Sequence, residues 1–190
     1  MIRMTRIAIL AMAIVVGQSN VQGQTHSDSS TSHMLVAGVE RAKAAFLVGS
    51  FATTITFAPN PAMPKGVTGT GTSVIAYALD SLFLSIEDQS VNDLFGHYKA
   101  HGMLGFDAQQ HQFVLSMFNN FGDHPTYHGN FVGDTLVLQT KVEAPRGSFD
   151  QQLRWYKEGE TVRLRVLNDF GKGFVPVLDQ TATPASPKTK

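Results

Sequence analysis

Seven histidines and no cysteine set the limits of the chemistry open to this chain. Asp123, His124 and His128 fall within one short stretch, and His97 and His101 share the face of a predicted strand. Neutral imidazole is the commonest metal ligand, so His124 and His128 are the metal-ligand candidates. Ligand sets normally bring three or four groups in fixed geometry, and no zinc-type spacing is present. His97 and His101 lie about 13 Å apart on an extended chain at ~3.3 Å per residue, too far to share an ion. The expectation is no metal and no cofactor.

Nucleophilic chemistry finds even less support. There is no Gly-x-Ser-x-Gly elbow, and the serines sit in strands or tails without a recognisable base. No pair of carboxylates is marked for glycosidase work. Gly66 to Gly71 is glycine-rich, but a strand follows it and not a helix, so it fails as a phosphate cradle. The reading leans away from an enzyme, with a hydrolase or a His-based metal binder as the less favoured alternatives.

The arginines Arg154, Arg163 and Arg165 are the most specific polar feature. With Glu158-Gly159 as the turn, Leu153 faces Leu164 and Trp155 faces Val162 on the inner side. Arg154 then faces Arg163 outside, with Arg165 and Tyr156 beside them. Like charges directly opposite are destabilising, so acidic neighbours are expected to compensate. An anion- or partner-binding patch is the sharper alternative.

The elements that must position these residues are strands. Gly96 to Asn120 reads as a hairpin around Asp107-Ala108-Gln109-Gln110, pairing Phe106 with His111 and Leu104 with Phe113. One face of it is apolar and the other mixed, the pattern of an antiparallel pair against a core. Further strands are expected at Phe51–Phe57, 66–79, 82–88, 127–132, 135–142, 151–157, 161–166 and within 173–181. Gly133-Asp134 marks one tight turn. Met34, Leu35, Val39, Ala42 and Phe46 recur at helical spacing, which predicts a short amphipathic helix over 34–45. Nine or ten strands, one helix and no βαβ rhythm predict a mainly β domain, a single antiparallel up-and-down barrel, or failing that a sandwich.

The chain resembles a known family at this level. Leu47-Val48-Gly49-Ser50-Phe51 is similar to the opening Gly-x-Trp motif of lipocalin-like barrels, with Phe51 in the Trp position. Ser81-Leu82-Phe83-Leu84, Gly102-Met103-Leu104-Gly105-Phe106-Asp107 and Thr126-Tyr127-His128-Gly129 resemble the bacterial domain-of-unknown-function family numbered 1579, over roughly 46–181. That resemblance implies an exported lipocalin-like barrel with a cavity and transfers no catalytic residue.

A barrel of about ten strands is wide enough that side chains need not fill it. An apolar lining with a few polar heads is how small-molecule pockets are built. The candidate lining is Phe51, Tyr98, Leu104, Phe106, Phe113, Met117, Asn119 and Trp155. The expected function is binding a small apolar molecule; a structural or protein-interaction barrel with a filled core is the alternative.

Composition and the N-terminus bound the compartment. Arg3 and Arg6 precede the apolar run Ile7–Val16, and Val21-Gln22-Gly23 suits a signal peptidase, so 1–23 reads as a signal peptide. That run is shorter than the ~20 residues a membrane helix needs. Residues 24–33 read as a disordered linker, 34–182 as the domain and 183–190 as a disordered tail. Without Arg3 and Arg6 the 15 basic residues fall to 13 against 15 acidic ones, no footprint for nucleic acid. The absence of cysteine excludes a lipid anchor and a disulfide framework. Export to a bacterial periplasm or the medium is expected, with no membrane insertion after cleavage.

Overall fold

The computed structural model describes residues 27–60, 63–144 and 147–185; the segment read as a signal peptide lies outside them. Ten strands follow one helix: β1 (Gly49–Phe57), β2 (Val67–Ala78), β3 (Phe83–Asn92), β4 (Gly96–Asp107), β5 (Gln112–Asn119), β6 (Thr126–Val132), β7 (Thr135–Ala144), β8 (Gly147–Glu158), β9 (Thr161–Asp169) and β10 (Val175–Pro184). Each pairs antiparallel with the next, and β1 meets β10, so the sheet closes into the up-and-down barrel that the strand count predicts. Closure leaves no free sheet edge.

Two hairpins pair two residues away from the predicted register. In β4–β5 the closing pair is Asp107 and Gln112, so Phe106 faces Phe113 and Leu104 faces Leu115. The loop spans 108–111 because Asp107 Oδ1 accepts the amides of Gln109 and Gln110, and His111 takes a left-handed φ of 51°. In β8–β9 the turn is Gly159-Glu160, with Gly159 at φ 58°. Trp155 therefore faces Leu164, Leu153 faces Val166, Arg154 faces Arg165, and Arg163 faces Tyr156. A slip of two leaves every side chain on its predicted face, since strand faces alternate with period two.

The helix α1 runs from Ser27 to Ala42, so 27–33 of the expected linker is helical; residues 24–26 lie outside the described part. A 3₁₀ turn at Ala45–Leu47 follows it. Met34, Leu35 and Val39, expected on a packed face, are exposed, Leu35 by 67%. Helical spacing defines a stripe but does not supply an element to cover it. At the other terminus β10 continues to Pro184, and the Ala185 amide bonds Ser50 O at 2.8 Å, so the expected tail begins later than Thr183.

The interior divides along the barrel axis. At the end carrying the β2–β3, β4–β5, β6–β7 and β8–β9 turns, Leu84, Leu104, Phe113, Leu115, Leu136 and Leu138 are almost wholly buried. Ala44 and Leu47 join this cluster, and Phe46 meets the Phe131 ring edge-on at 6.4 Å, so the 3₁₀ turn closes that end. Each such side chain contributes roughly 1.5–3 kcal/mol by leaving water. Toward the other, open end the inward positions become polar: Thr53, Ser73, Asp88, Ser90, Tyr98 and Gln151 among them.

Candidate functional site: the polar half of the barrel interior

Asp88 is the residue around which this half is arranged. It stands on β3 in the alternation Leu84, Ile86, Asp88, Ser90, which turns these side chains inward. Its cross-strand neighbour Ser73 hydrogen-bonds the carboxyl, but Oδ1 is sealed from solvent with no partner. The residue as a whole keeps partial exposure, so it is this oxygen that the fold seals off. Burial pushes the Asp88 pKa above the ordinary carboxylate range, Ser73 pulls it partly back, and the neighbouring Glu87 charge adds to the rise. Desolvation favours the neutral form of an acid, which is the sense of this shift.

Two small spaces border this carboxyl. The deeper one is walled by Phe51, Ile75, Ile86, Trp155, Val162 and Leu164, with Ser73, Asp88 and Gln180 as its polar side. The outer one, toward the open end, lies among Thr53, Ile55, Ser90, Tyr98, Asp88 and Gln180. Each has a cavity volume of about 20 Å³, room for one water-sized group. Asp88 and Gln180 touch both.

Elsewhere in the polar half a chain of side chains satisfies itself. The Tyr127 hydroxyl donates to Gln151 Oε1 at 2.6 Å, and Gln151 Nε2 donates to Asn168 Oδ1 at 3.0 Å, tying β6, β8 and β9 together. Burial pushes the Tyr98 phenol up to about 12, with the Asp88 charge adding to it. Burial likewise raises Tyr127. Both phenols therefore keep their protons at neutral pH and act as hydrogen-bond groups, not as bases.

Aromatic side chains crowd the open end. Phe95, Phe121 and Phe170 are exposed on three of its connections. Each lies against a ring nearer the barrel: Phe57 at 5.1 Å, Tyr98 at 5.8 Å and Phe149 at 5.0 Å, respectively.

The eight predicted lining residues separate into three groups. Phe51 and Trp155 wall the deeper space and Tyr98 the outer one. Leu104, Phe106, Phe113 and Met117 belong to the packed cluster and line neither space. Phe106 and Phe113 stack edge-on at 5.2 Å, and Met117 Sδ occupies the volume that a Cβ on Gly102 would need. Asn119 holds a loop: its Oδ1 accepts the amides of Phe121 and Asp123, both at 3.0 Å. Sequence reasoning missed Ser73, Asp88 and Gln180. The alternation from Leu84 was the available signal for Asp88, but an acid placed inside runs against the usual pattern of polar side chains outside.

His124 is exposed on the β5–β6 connection, and His128 points outward from β6 with Nδ1 3.4 Å from Gln112 Nε2. Among the described residues no three His, Asp or Glu side chains gather where they could hold a metal. His101 pairs instead with Glu87 across the β3–β4 ladder at 2.5 Å. On the outer face of β8–β10, Arg165 Nε donates to Asp179 Oδ1 at 2.8 Å, which raises the guanidinium pKa. Arg163 lies 3.6 Å from Glu158, and Arg154 Nε donates to Gln152 Oε1. Of the facing pair, Arg165 thus has the acidic neighbour expected, whereas Arg154 meets a neutral amide, and Arg163 Nε is buried without a hydrogen-bond partner.

No family model matches the chain, and no curated protein matches it. Among solved structures, it is similar to the crystal structure of Rv2717c from M. tuberculosis, with a TM-score of 0.55 and 16% sequence identity. The match covers 76% of this chain and 96% of that one. At this identity the likeness is one of fold: the chain shares a closed β-barrel architecture with that protein.

Proposed function

We propose that this chain is an exported, lipocalin-like barrel of the type its motifs resemble, and that it binds a small, largely apolar molecule inside the barrel. Export rests on Arg3, Arg6 and the Ile7–Val16 run ahead of Gly23. The single observation that carries the binding reading is the pair of adjoining interior spaces, apolar on most sides and both bordered by the buried acid Asp88. Pockets built to take small molecules combine an apolar wall with a few placed polar groups. The spaces are water-sized, so a larger molecule enters by displacing side chains at the open end, where Tyr98 and the Phe121 ring lie against each other.

The same small volume favours a second reading, a filled barrel with a structural or interaction role. Native mass spectrometry of the purified protein, with a thermal-shift screen of apolar metabolites, separates the two. A ligand present at a hundredfold its Kd stabilises by about 2.7 kcal/mol. The binding reading expects such a shift from at least one apolar class; no shift and no retained mass leaves the filled barrel.

A further inference from the structure

Building on the interior-binding reading, we infer that the Asp88 carboxylate anchors the primary ammonium group of the bound molecule, which is therefore an amine on an apolar body. Three features of the site point to it. Asp88 Oδ1 is buried without a hydrogen-bond partner, and no Lys or Arg lines either adjoining space, so the carboxylate has no counter-ion there. The deeper space is walled by the Phe51 and Trp155 side chains, and the Tyr98 ring borders the outer one. Aromatic rings attract a cation through their quadrupole, and a carboxylate adds a charge-assisted hydrogen bond. An aromatic wall and an unpaired acid together make a site for an ammonium ion.

Size and donor count select the kind of ammonium. A space of about 20 Å³ holds one water-sized group, which fits a primary ammonium and not a quaternary one. A primary ammonium also brings three N–H donors. The Asp88 carboxyl, on a residue that lines both spaces, accepts one, and Gln180, bordering both as well, carries an amide oxygen for another. The apolar body then runs along the outer space past Ile55 and Tyr98 toward the open end. A carboxylate or phosphate head in the same place meets Asp88 as a like charge, and an alcohol leaves the charge uncompensated.

Three probes of equal length test this by isothermal titration calorimetry near pH 7.5: octylamine, 1-octanol and octanoate, on the full chain and on Asp88→Asn and Asp88→Ser. The expected order in the wild type is octylamine bound about tenfold or more tightly than octanol, with octanoate weakest, as expected for one charge-assisted bond. Both variants should retain octanol and lose the preference for the amine. Should a variant fail to fold, the wild-type ranking decides alone. Octanol binding as tightly as octylamine in the wild type, or an amine preference surviving both substitutions, overturns the ammonium anchor and leaves the interior-binding reading standing. No binding by any of the three overturns both.

Discussion

Replacing Asp88 by asparagine removes a buried charge while keeping the side chain's shape, and the structure predicts that the protein becomes more stable. Oδ1 is sealed from solvent without a partner, and the Ser73 hydrogen bond compensates the carboxyl only in part. A buried polar group left unsatisfied costs about 1–3 kcal/mol, and more when charged. The expected gain for Asp88→Asn is therefore about 1–3 kcal/mol, largest toward alkaline pH, where the raised pKa costs the native state most. For a chain of this size each kcal/mol moves Tm by about 2–4 °C, well within reach of calorimetry or circular dichroism. The pH dependence supplies a second signature. Because the folded-state pKa is raised, the native state holds the proton more tightly than the unfolded chain. Stability from this group falls as pH rises through that window and returns as pH drops toward the ordinary carboxylate value. The advantage of Asp88→Asn should thus shrink on acidification. A variant no more stable than wild type at pH 8, or one whose gain is unchanged on acidification, would refute the reasoning.

Other consequences follow from the same packing. Gly71→Ala places a Cβ against the Gln89 carbonyl and 2.8 Å from Ser90 Cα, both backbone, so β2 and β3 must part. Urea denaturation should show a loss of about 1–3 kcal/mol, as for other overpacked sites. Trp155→Ala empties one wall of the deeper space and should cost about 3–5 kcal/mol, with the wild-type emission blue-shifted by burial. The Arg165–Asp179 pair is partly exposed, so a double-mutant cycle on it should return no more than about 1 kcal/mol.

The alternation of side chains made much of this molecule legible. Phe51, Leu104, Phe113 and Trp155 could be placed inside because a strand turns every second residue to the same face. Register was less legible, since it depends on which residues adopt left-handed backbone in a turn. His111 and Gly159 do so here, and each moved its hairpin by two positions. The helix was readable as a helix, but its spacing carries no information on whether Met34, Leu35 and Val39 find a partner. The interior itself was least legible. How much space remains depends on side chains meeting across the barrel, as Met117 does where it takes the place of a Cβ on Gly102. Asp88 lay in plain alternation with Leu84 and Ile86, and only the closed barrel turned that position into a sealed one.

Trp155 is the sole tryptophan, and it walls the deeper interior space, so its fluorescence reports on that space directly. Titrating the purified protein with octylamine while recording this emission tests the central claim that the interior takes a small molecule. Interior binding predicts a saturable change in intensity or wavelength, matched by a rise in Tm at the same concentrations. Emission that stays constant up to millimolar octylamine and, in a parallel titration, millimolar 1-octanol, from a tryptophan shown to be buried by its blue-shifted spectrum, would mean a filled barrel.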